Sequence, residues 1–342
     1  MRRLNGLAVA VMFGCAASGA TESDDGAELG PPLVEAPLAP LPARLSVTGY
    51  FGELSEGGDW DPSLVAPEAI GYEPAHPLWT NGSAKTRHAL LPPGATIDNS
   101  DPMRWEFPIG TLVFKTFTFA TPDGIRPVET RLIRRSEEGW DYAVYVWEGD
   151  DAYLRMDDAA LRVEVVDEGE RFVHEVPGRN ECRACHATAA SPLIGLTDEQ
   201  LSISLRGATV SQRDDWFARG ILAFADADPS DPGRDPESAW VASYLHGNCA
   251  HCHWADGVPT PLDLTRSRAI ESIVDQPTMA ISFPSGLRVA PGAPERSLLL
   301  TALAASNPSG VRPMPPIGVQ RVDEEAAERL RRWIENLPTE DP

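Results

Sequence analysis

Two five-residue segments, Cys182-Arg183-Ala184-Cys185-His186 and Cys249-Ala250-His251-Cys252-His253, constrain this chain more than any other feature. Both read Cys-x-x-Cys-His. Two thiols at that spacing can form thioethers with the two vinyl groups of one haem, while the following histidine stands beneath the iron as its proximal ligand. A fold that accepts both segments must therefore build two pockets large enough for a macrocycle. The other readings of the same residues fit less well. Common zinc ribbons leave about 15 to 20 residues between their cysteine pairs, whereas 63 lie between Cys185 and Cys249. A redox dithiol does not require a histidine after the second cysteine. With 7 histidines in 342 residues, chance would place one after both motifs roughly 4 times in 10,000. The reading is two covalently bound haem c groups, with Cys182, Cys185, Cys249 and Cys252 as attachment points and His186 and His253 as iron ligands.

Each iron has a sixth position to fill. For the second haem the expected ligand is Met314, in Arg312-Pro313-Met314-Pro315-Pro316 and 61 residues beyond His253, with Met279 as the fallback. A thioether on a proline-stiffened loop raises the reduction potential and closes the iron to ligands. The first haem leaves several candidates, namely His174, His246, His76, His88, Met103 and Met156, or an empty site. His251 reads as spacer within the second motif.

Composition narrows the classes of partner. The chain holds 51 acidic and 29 basic side chains, a formal charge of −22, and nucleic-acid binding needs the opposite balance. At 42% hydrophobic and 23% charged it is globular in composition, and after residue 14 no apolar run could span a bilayer. Residues 1–20 read as an export signal: Arg2 and Arg3, an apolar stretch from Leu7 to Phe13, then Gly14-Cys15-Ala16. Cys15 resembles the acylated cysteine of a bacterial lipoprotein, which would give a lipid anchor; cleavage after Ala20 is the alternative. Export suits haem attachment, which takes place outside the cytoplasm. Loss of Arg2 and Arg3 leaves 27 basic against 51 acidic residues, or −24. The cell envelope is the expected location, in the periplasm or at the outer membrane, with basic redox proteins as partners.

Along the chain, residues 21–43 are proline-rich and lack an apolar period, so they read as a flexible linker. Residues 44–179 carry short β-branched and aromatic runs, among them 111–117, 142–147, 161–166 and 172–174, with turns at 122–124 and 148–150. These predict a mainly antiparallel sheet. Residues 180–234 form a helical segment around the first haem motif, with one helix opening at Thr197 and carrying Leu201 and Leu205, and another around Trp216. Residues 226–235 read as a domain boundary. Beyond it, Asp235-Pro236 caps a helix, and Ala326, Leu330, Trp333, Ile334 and Leu337 form the apolar stripe of a last one. The expected fold class is multidomain α+β, an N-terminal antiparallel β-rich domain followed by an all-α domain over residues 235–342.

The segment from Asp235 onward resembles a class I cytochrome c in its two terminal helices, haem motif and Pro313-Met314-Pro315-Pro316 loop. Its Pro291-Gly292-Ala293-Pro294-Glu295-Arg296-Ser297 is similar to a turn that many bacterial members carry. The whole chain resembles a family of exported bacterial dihaem c-type cytochromes of unassigned pathway. The residues that carry this are Leu45-Ser46 with Gly49 and Phe51, residues 77–85 (Pro77-Leu78-Trp79-Thr80-Asn81-Gly82-Ser83-Ala84-Lys85), Trp105 to Thr111 with Lys115, and Glu129-Thr130-Arg131-Leu132. A sheet with a Pro108-x-Gly110-Thr111-x-x-x-Lys115 strand before one haem motif is also similar to small β-sheet c-haem proteins, some with a lysine cross-linked to haem. That likeness singles out Lys85 and Lys115. The resemblance implies an envelope electron-transfer protein. The rival readings are a haem enzyme or sensor with an open first iron acting on peroxide or small nitrogen ligands, and a module in which haem is structural.

Overall fold

The structure is a computed structural model that describes residues 40–50, 64–121, 124–167, 169–225, 234–258, 260–279, 286–304 and 310–339. The expected signal segment, Cys15, most of the linker and residues 226–233 of the expected boundary lie outside the described residues.

Alternating runs of β-branched and aromatic side chains with tight turns between them favour neighbouring antiparallel strands. Strands β1 (Ile70–Gly71), β2 (Ala84–Leu90), β3 (Leu112–Thr121), β4 (Gly124–Ser136), β5 (Gly139–Glu148) and β6 (Asp151–Arg155) form one antiparallel sheet in chain order. A separate hairpin pairs β7 (Leu161–Asp167) with β8 (Glu170–Val176). The register aligns Arg87 with Lys115 and Lys115 with Arg131, so three cations lie side by side across β2, β3 and β4. Because side chains alternate between faces, Leu90, Leu112, Phe114, Leu132 and Tyr145 point to the opposite side. There they bury against Leu45 and Tyr50, and Tyr50 stacks on Phe114 with ring centroids 4.1 Å apart.

The cation-bearing face receives the first haem motif. Helix α1 (Arg179–His186) packs Cys182 against Tyr142, Val144 and Val176. At its start, the Gly178 amide donates to Glu181 Oε2 at 2.9 Å. A Cβ on Gly178 would collide with the Asp158 carbonyl, so glycine is required by this close approach. Helix α2 (Gln212–Ala218) buries Trp216 beside Tyr72, Trp105 and Leu196.

The helix expected to open at Thr197 does not form; residues 197–201 are turns. Thr197 O accepts one i to i−4 bond, from Leu201 N at 3.0 Å, after which the chain turns to distant donors. Gln200 O accepts from Ala75 N at 2.8 Å, Leu201 O from Arg213 N at 3.0 Å and Ile203 O from Gln212 N at 3.0 Å. Asp198, instead of capping a helix, accepts from Trp105 Nε1 at 3.3 Å. Tertiary partners have displaced the i to i−4 ladder.

The expected all-α class I cytochrome c domain over residues 235–342 is also corrected by the structure, in which the antiparallel sheet is the main element and helices are few. Helices α3 (Pro236–Cys249) and α6 (Glu324–Glu335) form where the caps and stripe place them, Asp235 accepting from Ser238 N at 3.0 Å and Asp323 from Ala326 N at 3.1 Å. Between them stand only the short α4 (Ala269–Ile273) and α5 (Leu298–Leu303). The intervening chain forms isolated bridges, Val274 to Val289 and Pro277 to Leu287, because its prolines and glycines interrupt any helical period. These helices also do not stand apart from the sheet. Trp79 N donates to Asn248 Oδ1 at 2.8 Å, and Trp79 Nε1 donates to the Arg321 carbonyl at 2.7 Å. Among the described residues no helix is long and apolar enough to cross a membrane.

Candidate functional site

Between α1 and the cation-bearing face of the sheet lies a cleft of about 1200 Å³, its open mouth included. Cys182, Cys185 and His186 line one side of it, and Arg87, Lys115 and Arg131 line another. The four motif cysteines are free thiols. His186 Nδ1 is 2.6 Å from the Pro192 carbonyl. With Nδ1 donating there, Nε2 is left as the ligand nitrogen, the arrangement that fixes tautomer and ring orientation in metal-bound histidines. Burial lowers the His186 pKa to about 3, so the ring is neutral and able to coordinate.

Residues 67 apart in sequence meet here. The second motif begins in the last turn of α3 and continues into the turns after it, and Cys252 stands against Cys185 within hydrogen-bonding reach. That contact lowers the Cys252 pKa and raises that of Cys185. Trp254 Nε1 donates to the Thr188 carbonyl at 2.9 Å, fastening the segment after one motif to the segment after the other. His251 lines the same cleft as His186, and its buried Nδ1 has no hydrogen-bond partner. The spacer residue of the sequence reading thus faces the first motif.

The second site is more open. His253 is half-buried, with Nδ1 3.3 Å from Thr260 Oγ1. Met314 is half-buried beside α5, its amide donating to the Ala302 carbonyl at 2.7 Å. Helix α5 reads Leu-Leu-Leu-Thr-Ala-Leu, yet none of its residues is buried. Leu299, Leu300 and Leu303 join Leu262 and Cys249 as a partly covered apolar edge of the helical core. An uncovered edge of that kind is what a flat apolar group would shield. The pairing of Met314 with His253 rests on the sequence pattern alone.

The candidates for the sixth ligand of the first iron separate clearly. His174 is fully buried and held at both ring nitrogens, Nε2 3.0 Å from Glu129 Oε1 and Nδ1 3.3 Å from Asn81 Nδ2. His88 lies on the opposite face of the sheet, 2.8 Å from the Tyr50 hydroxyl. His246 approaches Glu199 at 3.6 Å, Met156 is exposed and meets Arg179, and Met103 lines a smaller neighbouring pocket. Besides His186, the imidazoles at the cleft are His76 and His251.

Charge is the feature of the cleft that sequence inspection missed. Glu129, fully buried, takes two bonds from Arg131, at 2.7 and 2.9 Å, and one from His174. Burial alone would push its pKa up, but Arg131 and these bonds hold it at about 2. Arg87 is 6% exposed and, among the described residues, has no ion pair or side-chain hydrogen bond. Lys115 lies 4.9 Å from the Phe117 ring centroid and likewise has no carboxylate partner. Burial, then Arg87, Lys85 and Arg131, depress the Lys115 pKa well below the ordinary lysine range. Lys85, near the same ring, falls to about 7 for similar reasons. In sequence, charged residues at alternate strand positions look like a solvated face; only the packing of α1 and β8 over them shows otherwise.

None of the protein-family models, characterised proteins or solved structures compared with this chain matches it.

The residues present fit a haem at the first motif. The thiols are free, one imidazole has its outer nitrogen satisfied, the cavity is adjacent, and Arg87 and Lys115 line its wall without an ion pair among the described residues. Among the described residues no three His, Cys, Asp or Glu side chains are arranged to hold a bare metal ion.

Proposed function

We propose that the chain is a dihaem c-type cytochrome of the bacterial cell envelope that passes single electrons between redox partners. Bound haem iron supplies reversible one-electron chemistry. Cys182 and Cys185 would hold the first haem and Cys249 and Cys252 the second; His186 and His253 would each give one axial nitrogen, and Met314 would complete the second iron. The observation that carries the reading is the convergence of Cys182, Cys185 and His186 on one cleft, with the second motif against its rim. The Pro192 carbonyl orients His186. The acidic surface around the molecule would steer a basic partner, and the export signal would deliver the chain to the compartment where haem is attached.

The test is a haem count. Full chain produced in a host that attaches c-type haem is expected to carry two covalent haems by mass spectrometry, and fewer than two would overturn the reading. Replacement of Met314 with Ala is expected to turn the second iron high-spin and ligand-accessible by EPR and optical spectra.

A further inference from the structure

We infer that Arg87 and Lys115, with Arg131 beside them, form a carboxylate- or oxyanion-binding site on the inner wall of the cleft. The register places the three side chains at one level of neighbouring strands, and all three line the cleft with Cys182, Cys185 and His186. Only Arg131 is matched, by Glu129. Arg87 and Lys115 have no ion pair among the described residues, although Glu181 also lines the cleft and Glu73 acts on Arg87 through space, in a chain whose overall charge is −22. A nearly fully buried guanidinium without a partner is costly, and concentrating cations against the trend of the whole molecule makes the cleft an attractive well for a small anion. The planar fork of Arg87 suits a two-oxygen acceptor, and an anion bound there would favour the charged form of Lys115 beside it.

That chemistry has two sources, a propionate of the haem proposed above or a free small oxyanion. The second stands whether or not haem is attached, so the site does not depend wholly on that reading. The experiment uses full chain purified after its haem content has been counted, and nitrate as probe, because nitrate is a poor ligand for iron. Nitrate binding is measured by titration calorimetry, and the potential of each haem by spectroelectrochemistry, for the wild type, Lys115→Gln, Lys115→Arg and Arg87→Gln. If nitrate binds, and both neutral variants weaken it about tenfold or more while Lys115→Arg does not, the occupant is a free oxyanion. If nitrate does not bind, but Lys115→Gln lowers one haem potential and Lys115→Arg leaves it in place, the occupant is a propionate. Nitrate affinity and haem potentials that are the same in all four proteins would overturn the site. In a chain that proves to hold no haem, the calorimetric comparison alone decides, so loss of the cytochrome reading and loss of the anion site are separate results. Arg87→Gln supplies the comparison if Lys115→Gln does not fold.

Discussion

Glu129→Gln tests the buried charge arrangement that shapes the cleft. The change preserves volume but removes the charge that accepts two bonds from Arg131 and one from His174. Glu129 is fully buried, whereas the Arg131 side chain keeps 21% of its surface, so water can relieve part of the stranded cation. Breaking a buried pair costs about 3–5 kcal/mol, and partial access argues for the lower end. The pKa gives a similar figure. A drop from 4.5 to about 2 corresponds to about 3 kcal/mol at about 1.4 kcal/mol per pH unit. The sign follows from the folded-state pKa lying below the unfolded one: the contribution is complete above pH 4.5 and is lost as pH falls through about 2. Glu129→Gln should therefore lower stability at pH 7 by about 3 kcal/mol, a fall in Tm of roughly 4 °C for a chain of 342 residues. It should also flatten the acid limb of the stability profile. Urea unfolding at constant m-value between pH 2 and pH 7 is the assay. Adding Arg131→Met should recover part of the loss, because removing both partners leaves no unpaired charge. A loss below about 1 kcal/mol at pH 7, or fully additive losses in the double variant, would refute the reasoning.

Two further outcomes follow from the packing around the site. Asn81 is fully buried with a φ of +54°, accepts from Gln320 N at 2.6 Å and Arg321 N at 3.0 Å, and donates to Gln320 Oε1 at 2.6 Å. Asn81→Ala is expected to cost about 3 kcal/mol or more in urea unfolding, and Asn81→Asp is not expected to rescue it, because its second oxygen would face Gln320 Oε1 and the Gly318 carbonyl. Gly178→Ala should displace the start of α1, since the added Cβ meets the Asp158 backbone; mass spectrometry is then expected to show one attached haem in place of two.

The strands at 111–117, 142–147, 161–166 and 172–174 and the two capped helices of the C-terminal part were all legible in the sequence. Each depends on local chemistry: side-chain spacing, alternation, or a cap three residues from its amide. The break of the helix after Thr197 was not legible, because Ala75, Arg213 and Gln212, which claim the carbonyls of Gln200, Leu201 and Ile203, come from distant segments. Nor was the failure of residues 235–342 to form an all-α unit, where the two end helices are local and the chain between them is placed by contacts with Trp79 and Asn81.

The sequence by itself determined which residues the proposed chemistry would use, since the Cys-x-x-Cys-His spacing is a local pattern that needs no tertiary context. Only the tertiary structure decided what surrounds them. Strand register set Arg87, Lys115 and Arg131 side by side, and helix packing turned that face inward and brought Cys185 to Cys252. A cation on a strand has the same letter whether it faces water or a buried cleft. The difference is made by the element that covers it, and that element lies far away in the chain.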